Sequence, residues 1–151
     1  MRALIQRVTH ASVAVDGERI GAIDLFRSID HGLLALIGVA ADDDRARADR
    51  LLHKLLHYRV FSDAEGRMNR NLQQAEGGLL LVSQFTLVAA TDKGLRPSFS
   101  SAAPPALGRE LFDYLLDQAR AAWPQTATGR FGADMQVSLT NDGPVTFLLE
   151  T

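Results

Sequence analysis

The 151-residue sequence contains no cysteine. A disulfide, a thiolate nucleophile, an iron–sulfur cluster and a cysteine-ligated zinc site are therefore excluded. The lack of cysteine agrees with a reducing compartment, and we expect a cytoplasmic protein. No cofactor is expected, because no other pattern in the sequence calls for one.

Long apolar runs and an excess of one charge are also missing. No run of about 18 apolar residues occurs, so no membrane-spanning helix is predicted, and residues 1–10 lack the apolar core of a signal peptide. The 16 basic and 18 acidic side chains give a formal net charge of −2. That balance argues against a protein that holds nucleic acid by bulk electrostatics, although it leaves room for a local contact with phosphates.

The length predicts a single domain over residues 1–151. Hydrophobic periodicity predicts a hairpin over residues 2–23 that turns at Asp16-Gly17, a buried strand over 32–40 and a helix over 45–58. A polar loop over 61–71 precedes a second buried strand over 79–88, and an irregular segment follows over 89–103. A helix is predicted between Pro104 and Pro124, and two strands are predicted over 135–139 and 145–149. The helices are too few to cover both faces of a large parallel sheet. The predicted fold is therefore α/β, a layered β/β/α sandwich with two main helices on one side and barrel-like sheets.

His53 and His57 lie four positions apart on the first predicted helix. That spacing can hold a metal ion. The residues between them, Lys54-Leu55-Leu56, lack the glutamate of the zinc-protease helix, and no third ligand is evident. A solvated or half-buried histidine pair is the favoured interpretation, and no metal site is predicted.

Positive charge is concentrated in two segments. Residues 45–70 hold seven basic and three acidic side chains, which indicates either a solvated helix face or, less favoured, a surface that contacts phosphates. The irregular segment carries Lys93-Gly94-Leu95-Arg96, where Arg96 is able to pair with a phosphate or a carboxylate. A surface loop with one salt bridge explains this segment equally well.

Ser83-Gln84-Phe85-Thr86 interrupts an otherwise apolar strand. Each of the polar groups would cost about 1–3 kcal/mol if it were buried without a partner. They therefore bond to an adjacent strand or line a pocket for a polar ligand. Thr86 is a nucleophile only if another group activates it, and no histidine or carboxylate is adjacent in the sequence.

Asn141-Asp142-Gly143-Pro144 predicts a hairpin turn between the last two strands. The Gly143–Pro144 bond is of the X–Pro type that is cis in about 5–6% of cases in folded proteins. On that frequency alone, the trans form is favoured.

These segments together resemble the D-aminoacyl-tRNA deacylase family, historically called D-tyrosyl-tRNA deacylases. The resemblance runs nearly end to end, and it is carried by ALIQRVTHASVAVDG, GLLALIGV, YRVFSDAEGRMN, VSQFTL, KGLRPSFS and TGRFGADMQVSLTNDGPVTF. VSQFTL and NDGPVT are specific when they occur together in this order. The sequence departs from the usual family pattern at two places. Asp24–Asp30 resembles an insertion before GLLALIGV, where family members have a short turn, and Arg70 stands where an apolar residue is common.

The resemblance implies a homodimeric ester hydrolase with two active sites at the subunit interface. Ser83, Gln84, Phe85 and Thr86 would line the pocket, and Gly143 and Pro144 would form a cis dipeptide that enters from the partner subunit. The substrate would be tRNA charged with a D-amino acid. An L side chain would meet rigid backbone and be rejected, whereas glycine has no side chain to reject, so glycyl-tRNA is an expected second substrate. Phe131 and Met135 would help to hold the terminal adenine, although both residues also fit core packing.

The resemblance leaves two mechanisms open. Either Thr86 is the nucleophile, or the terminal ribose 2′-hydroxyl assists attack by water while backbone N–H groups near Phe85 and Thr86 stabilise the oxyanion. The second is preferred, because the sequence offers Thr86 no evident base. Two other functions stay open: a catalytically lapsed RNA-binding or dimerisation module on the same fold, and an enzyme that acts mainly on glycyl-tRNA.

Overall fold

The computed structural model describes residues 1–24 and 30–151. Its strands and helices, in chain order, are β1 (Arg2–Val15), β2 (Glu18–Ile23), β3 (Gly32–Gly38), α1 (Arg45–His57), β4 (Phe61–Ser62), β5 (Met68–Arg70), α2 (Leu72–Ala75), β6 (Gly78–Ser83), a short 3₁₀ helix (Phe85–Val88), α3 (Pro105–Ala122), β7 (Thr126–Thr128) and β8 (Gln136–Glu150). The insertion predicted at Asp24–Asp30 falls mainly outside the described residues.

Strand β1 organises a strongly curved six-stranded sheet. On one edge it pairs antiparallel with β3 through Arg2–Val8 and with β2 through Ala11–Val15, and on its other edge it pairs with β8. Strands β6 and β7 continue the sheet in parallel from β3. The sheet curls until Gly21 of β2 meets β7, where a Cβ atom would lie only 2.4 Å from the carbonyl oxygen of Thr128. The absence of a side chain at Gly21 therefore lets the sheet close almost into a barrel.

Two hydrophobic layers lie on opposite faces of β3 and β6. Leu33 and Leu79 pack with α1 and α3, whereas their neighbours Leu34 and Leu80 point into the curled sheet toward Val13 and the rest of β1 and β2. The alternation is that of strands buried on both faces, as the apolar runs predicted. The mixed α/β fold with two main helices on one side of barrel-like sheets is confirmed.

The predicted ends of several elements are also confirmed. Asp44 is the N-cap of α1, and its carboxylate accepts from the N–H of Arg47 at 2.8 Å. Pro105 lies in the first turn of α3, where its missing N–H costs nothing. Asp16 and Gly17 both have positive φ angles, of 51° and 81°, as a tight two-residue hairpin turn requires.

The strand predicted over 79–88 is wrong beyond Ser83. Ser83 still pairs with Ile37, and the N–H of Gln84 donates to the carbonyl of Ile37 at 2.8 Å. Strand β3 ends one residue later, so the chain has no further strand to pair with on that side and turns into the 3₁₀ helix. The polar loop predicted over 61–71 is also corrected, because it contains the small hairpin of β4 and β5.

The hairpin turn predicted at Asn141–Pro144 is wrong, because residues 136–150 form a single strand. Asn141 lies opposite Val8 and Thr146 lies opposite Gln6, so β8 takes five steps where β1 takes two. The extra residues bulge from the ladder, and we call residues 142–145 the β8 bulge. Strand β1 is long enough to pair with β8 on both sides of the bulge. The chain therefore continues in one direction and does not turn back.

Within the β8 bulge, the Gly143–Pro144 peptide bond is cis. The trans form favoured on frequency is therefore wrong, and the cis form implied by the resemblance is confirmed. In the described ranges, 1–24 and 30–151, no helix has the length and apolar character needed to cross a membrane.

Candidate active site

A cavity of about 380 Å³ opens where β3 and β6 end. Its walls come from these strand ends, from the first turns of α3 and from the segment that leads into β8. Five of the residues predicted from the sequence line it: Ser83, Gln84, Phe85, Phe131 and Met135. Thr86 follows Phe85 in the 3₁₀ helix and is exposed beside this cavity. The structure therefore brings together two predicted groups that are almost 50 positions apart in sequence.

Three glycine and backbone contacts fix Met135 and Phe131. The N–H of Arg130 donates to the sulfur of Met135 at 3.3 Å. A Cβ atom at Gly129 would lie 2.6 Å from that sulfur, and a Cβ atom at Gly108 would lie 3.4 Å from the ring of Phe131. The bare backbone at these two positions thus lets the thioether and the ring pack closely into the cavity wall.

The polar wall is shaped by the exit from β6. The side-chain amide of Gln84 donates from Nε2 to the hydroxyl oxygen of Thr86. Phe85 is 62% exposed and its ring lies against that of Phe99, with centroids 5.0 Å apart. The first hydrogen bond of the 3₁₀ helix is donated by the N–H of Leu87 to the carbonyl oxygen of Gln84. The N–H groups of Phe85 and Thr86 come before this bond in the chain.

The cavity wall is electrically neutral. Among the described residues that line it, none is a histidine, a carboxylate, a lysine or an arginine. The group that contacts the hydroxyl of Thr86 is an amide, which is too weak a base in either orientation to remove the hydroxyl proton. The site can therefore present oriented dipoles and an apolar surface, but the cavity itself holds no general base.

Gly143 and Pro144 do not lie at this cavity in the same chain. Gly143 lies in the β8 bulge beside Arg7. Arg7 is paired with Leu33 of β3, whereas Ser83 is paired with Ile37 of the same strand. Four residues of β3 separate the two levels, which is roughly 13 Å along the strand. Within one chain, the structure therefore does not bring the predicted Gly-Pro motif to the predicted pocket.

The histidine pair shows no sign of a metal site. The rings of His53 and His57 stack at 4.3 Å, and Nδ1 of His57 faces the carbonyl oxygen of His53 at 2.9 Å. In the part of the chain that the structure describes, no three metal-ligating side chains come together.

Sequence reasoning missed the wall contributed by α3. Gly108 and Phe112 line the cavity on that helix. Both lie on the buried side of an amphipathic helix, and an apolar residue in such a stripe gives no signal of a pocket.

Comparison with known proteins identifies the family. The family model for D-Tyr-tRNA(Tyr) deacylase matches residues 4–150. A protein named D-aminoacyl-tRNA deacylase from Chromohalobacter salexigens is 66% identical over 151 residues, with all of both chains covered. A protein of the same name from Stutzerimonas stutzeri is also 66% identical over the full length of both chains. The chain belongs to the D-Tyr-tRNA(Tyr) deacylase family.

Comparison with solved structures shows the same fold. A structure titled c-Myc DNA Unwinding Element Binding Protein superposes with a TM-score of 0.91 at 36% identity, and it covers 100% of this chain and 99% of its own. A probable eukaryotic D-amino acid tRNA deacylase superposes with a TM-score of 0.85 at 16% identity, over 99% of this chain and 98% of its own, and shows the fold alone. The family identification made from the sequence is confirmed.

Proposed function

We propose that this chain hydrolyses the ester bond of D-aminoacyl-tRNA and releases free tRNA and the D-amino acid, as a proofreading enzyme. The family match over residues 4–150 and the shared name of full-length relatives support this function. The structural observation that carries it is the convergence of the Ser83–Phe85 segment with Phe131 and Met135 on one cavity. At about 380 Å³ the cavity falls in the range of about 300–1,000 Å³ that is usual for small-molecule sites.

The neutral cavity favours a mechanism assisted by the substrate. The ribose 2′-hydroxyl next to the ester would orient an attacking water, and the N–H groups of Phe85 and Thr86 would stabilise the oxyanion that forms on the ester carbonyl. The amide of Gln84 would hold the Thr86 hydroxyl in place as a polar contact. The ester is activated, so it needs less assistance than an amide would.

The terminal adenine would lie against Phe131 and Met135. The ring of Phe131 and the thioether of Met135 give this wall the apolar, polarizable surface that suits a base. The contact from the N–H of Arg130 holds the sulfur in place. Ser83, at the end of β6, would contact the substrate near the ester.

Selection of the D form would come from a second copy of the chain. Gly143 and Pro144 are exposed on the β8 bulge and lie away from the cavity of their own chain. In a homodimer the bulge of one protomer would close the cavity of its partner and present backbone carbonyls to the chiral centre. An L side chain would meet that backbone, whereas a D side chain would point outward and glycine would pass.

Matched D-tyrosyl-, L-tyrosyl- and glycyl-tRNA test the function. Release of the amino acid is followed at equal substrate concentration, together with the molar mass of the protein by light scattering. We expect rapid release from the D and glycyl substrates, slow release from the L substrate and a dimeric mass. Equal rates for D and L would refute chiral selection, and no release would favour the lapsed RNA-binding or dimerisation module.

A further inference from the structure

Four cations lie on the segments that flank the candidate active site, outside its neutral wall. Arg109 and Arg130 lie on the side of Phe131, and Lys93 and Arg96 lie on the loop that follows the 3₁₀ helix. All four are exposed. The function proposed above uses the cavity but assigns no role to any of these side chains.

Arg109 is held at the rim by the cavity wall itself. Its guanidinium carbon lies 4.9 Å above the centre of the Phe131 ring, and one Nη2 atom lies 3.5 Å from the carbonyl oxygen of Phe131. The guanidinium has five N–H donors, so most of them remain directed to solvent. An arginine that is stacked on an aromatic ring is preorganised for an oxyanion ligand.

The loop of Lys93 and Arg96 follows the 3₁₀ helix that carries Phe85. Ala90 and Ser98 exchange two backbone hydrogen bonds, of 2.9 and 3.0 Å, which close the base of the loop. The ring of Phe99 then packs at a tilt of 51° against that of Phe85, a residue of the cavity wall. The loop is therefore attached to the site at its base, while its two cations project from the tip.

The charge at the mouth stays positive after neighbouring acids are counted. Asp92 lies on the loop, Asp113 lies one helical turn after Arg109 on α3, and Asp134 follows Arg130 in the chain, so four cations are set against three anions. Glu110, next to Arg109, is paired with Arg45 at 3.1 Å. Within residues 1–24 and 30–151, no carboxylate lies within ion-pair distance of Lys93, Arg96, Arg109 or Arg130.

We propose that Lys93 and Arg96 on one side and Arg109 and Arg130 on the other bind the phosphodiester backbone of the single-stranded acceptor end of tRNA. This inference rests on the proposed function and adds where the polyanion lies. A neutral cavity takes the terminal nucleoside and its ester, and the phosphates of the preceding nucleotides lie against the cationic rim. A chain of net charge −2 thereby binds RNA through a local surface.

The test compares two substrates that share the ester but differ in phosphates. One is D-tyrosyl-tRNA, and the other is 3′-O-(D-tyrosyl)adenosine, which has none. For Arg109→Ala and for the double variant Lys93→Ala/Arg96→Ala, we expect the ratio of kcat/KM on tRNA to kcat/KM on the adenosine ester to fall on the order of tenfold. The dependence of log kcat/KM on log salt for tRNA should become shallower by about 0.7 for each phosphate contact that is lost.

Arg120→Ala is the matched control, because Arg120 is an exposed arginine in the last turn of the same helix. It lies 11 residues from Arg109, roughly 16 Å along the axis, and should leave the ratio and the salt slope unchanged. An unchanged ratio in both rim variants would overturn the proposal. A change from dimer to monomer in the loop variant would also overturn it, since the loop would then be an interface between copies. If the wild-type protein hydrolyses neither substrate, the proposed function itself fails.

Discussion

Arg7 of β1 and Asp142 of the β8 bulge form an ion pair with an Nε–Oδ2 distance of 2.9 Å, in which the arginine side chain is only 13% exposed. The contact is an ion pair without good hydrogen-bond alignment at Nε. Arg7 also donates from Nη1 to the carbonyl oxygen of Val60 at 2.8 Å. Its Nη2 lies 3.0 Å from the position that a Cβ atom would take on Gly143, where φ is +123°. One arginine thus connects the segment before β4 with the bulge that carries Gly143 and Pro144.

Replacing Arg7 with alanine should weaken both stability and chiral selection. The carbonyl of Val60 would lose its donor, which costs about 1–3 kcal/mol in the free energy of unfolding. Asp142 would lose its cation, so the bulge would be held less firmly. We expect urea unfolding at a lower midpoint and a smaller ratio of kcat/KM for D- over L-tyrosyl-tRNA.

Arg2→Ala is the control for this change. Arg2 pairs with Glu150 at 2.7 Å, but the two side chains are 44% and 57% exposed. Such a pair contributes less than about 1 kcal/mol, and it lies outside the bulge. If Arg7→Ala lowers stability but keeps the wild-type ratio of kcat/KM for D- over L-tyrosyl-tRNA, Arg7 has no role in chiral selection.

Thr86→Ala should leave turnover of D-tyrosyl-tRNA within a few-fold of wild type. The only side-chain contact of the Thr86 hydroxyl in the described part of the chain is the amide of Gln84, which cannot act as a base. If the 2′-hydroxyl of the substrate assists instead, tRNA that ends in 2′-deoxyadenosine should react about 100-fold or more slowly, as expected for loss of a group that assists proton transfer. Abolished turnover in a folded Thr86→Ala protein would assign the nucleophile to Thr86.

The layers of the fold were predictable where the length and period of an apolar pattern favour one kind of element. The run over 32–40 is apolar at consecutive positions and is shorter than a usual helix, which favours a strand buried on both faces. The end of β6 was not predictable in this way. Leu87 and Val88 are as apolar as the residues of β6, and the chain leaves the sheet at Gln84 only because β3 ends beside it.

The β8 bulge could not be found from local sequence for a similar reason. Asn141-Asp142-Gly143-Pro144 has the composition of a turn, and only the length of β1 decides that both flanking segments pair with the same strand. The residues of the candidate site were also predictable only in part. The polar residues Ser83, Gln84 and Thr86 stood out because they interrupt an apolar segment. Gly108 and Gly129 did not, because they contribute only the space into which Phe131 and Met135 pack.

Gly129→Ala should raise KM more than it lowers kcat. The new methyl group would lie 2.6 Å from the sulfur of Met135, so the thioether would have to leave its place and its contact with the N–H of Arg130. Overpacking of this kind typically costs about 1–3 kcal/mol in stability. The double variant Gly129→Ala/Met135→Leu replaces the thioether with a branched side chain that has no sulfur. It tests whether substrate binding depends on the shape of this side chain or on its sulfur. A KM equal to wild type in Gly129→Ala would remove Met135 from substrate binding.

The stability of the β4–β5 hairpin should fall in acid because of Asp63. Its Oδ1 accepts from the N–H groups of Arg67 at 2.8 Å and Glu65 at 3.0 Å, and Oδ2 accepts from the amide of Asn69 at 2.6 Å. The N–H of Arg67, more than any other contact, holds the pKa of the Asp63 carboxyl below its ordinary value of 3.8. Folding therefore favours the ionised form. Its contribution is complete above pH values near 3.8 and is lost as the pH falls through the lower pKa of the folded state.

Asp63→Asn tests this dependence. An asparagine keeps one acceptor oxygen for the turn but removes the charge, so the variant should melt below the wild type at neutral pH, and the difference in Tm should shrink as the pH falls below 3.8. Asp117→Asn, at an exposed position of α3, is the control for the loss of one carboxylate. Carbon NMR of the Asp63 carboxyl gives the direct measurement, since its titration midpoint should lie below 3.8. A midpoint at or above that value would mean that the three donors do not stabilise the carboxylate in solution.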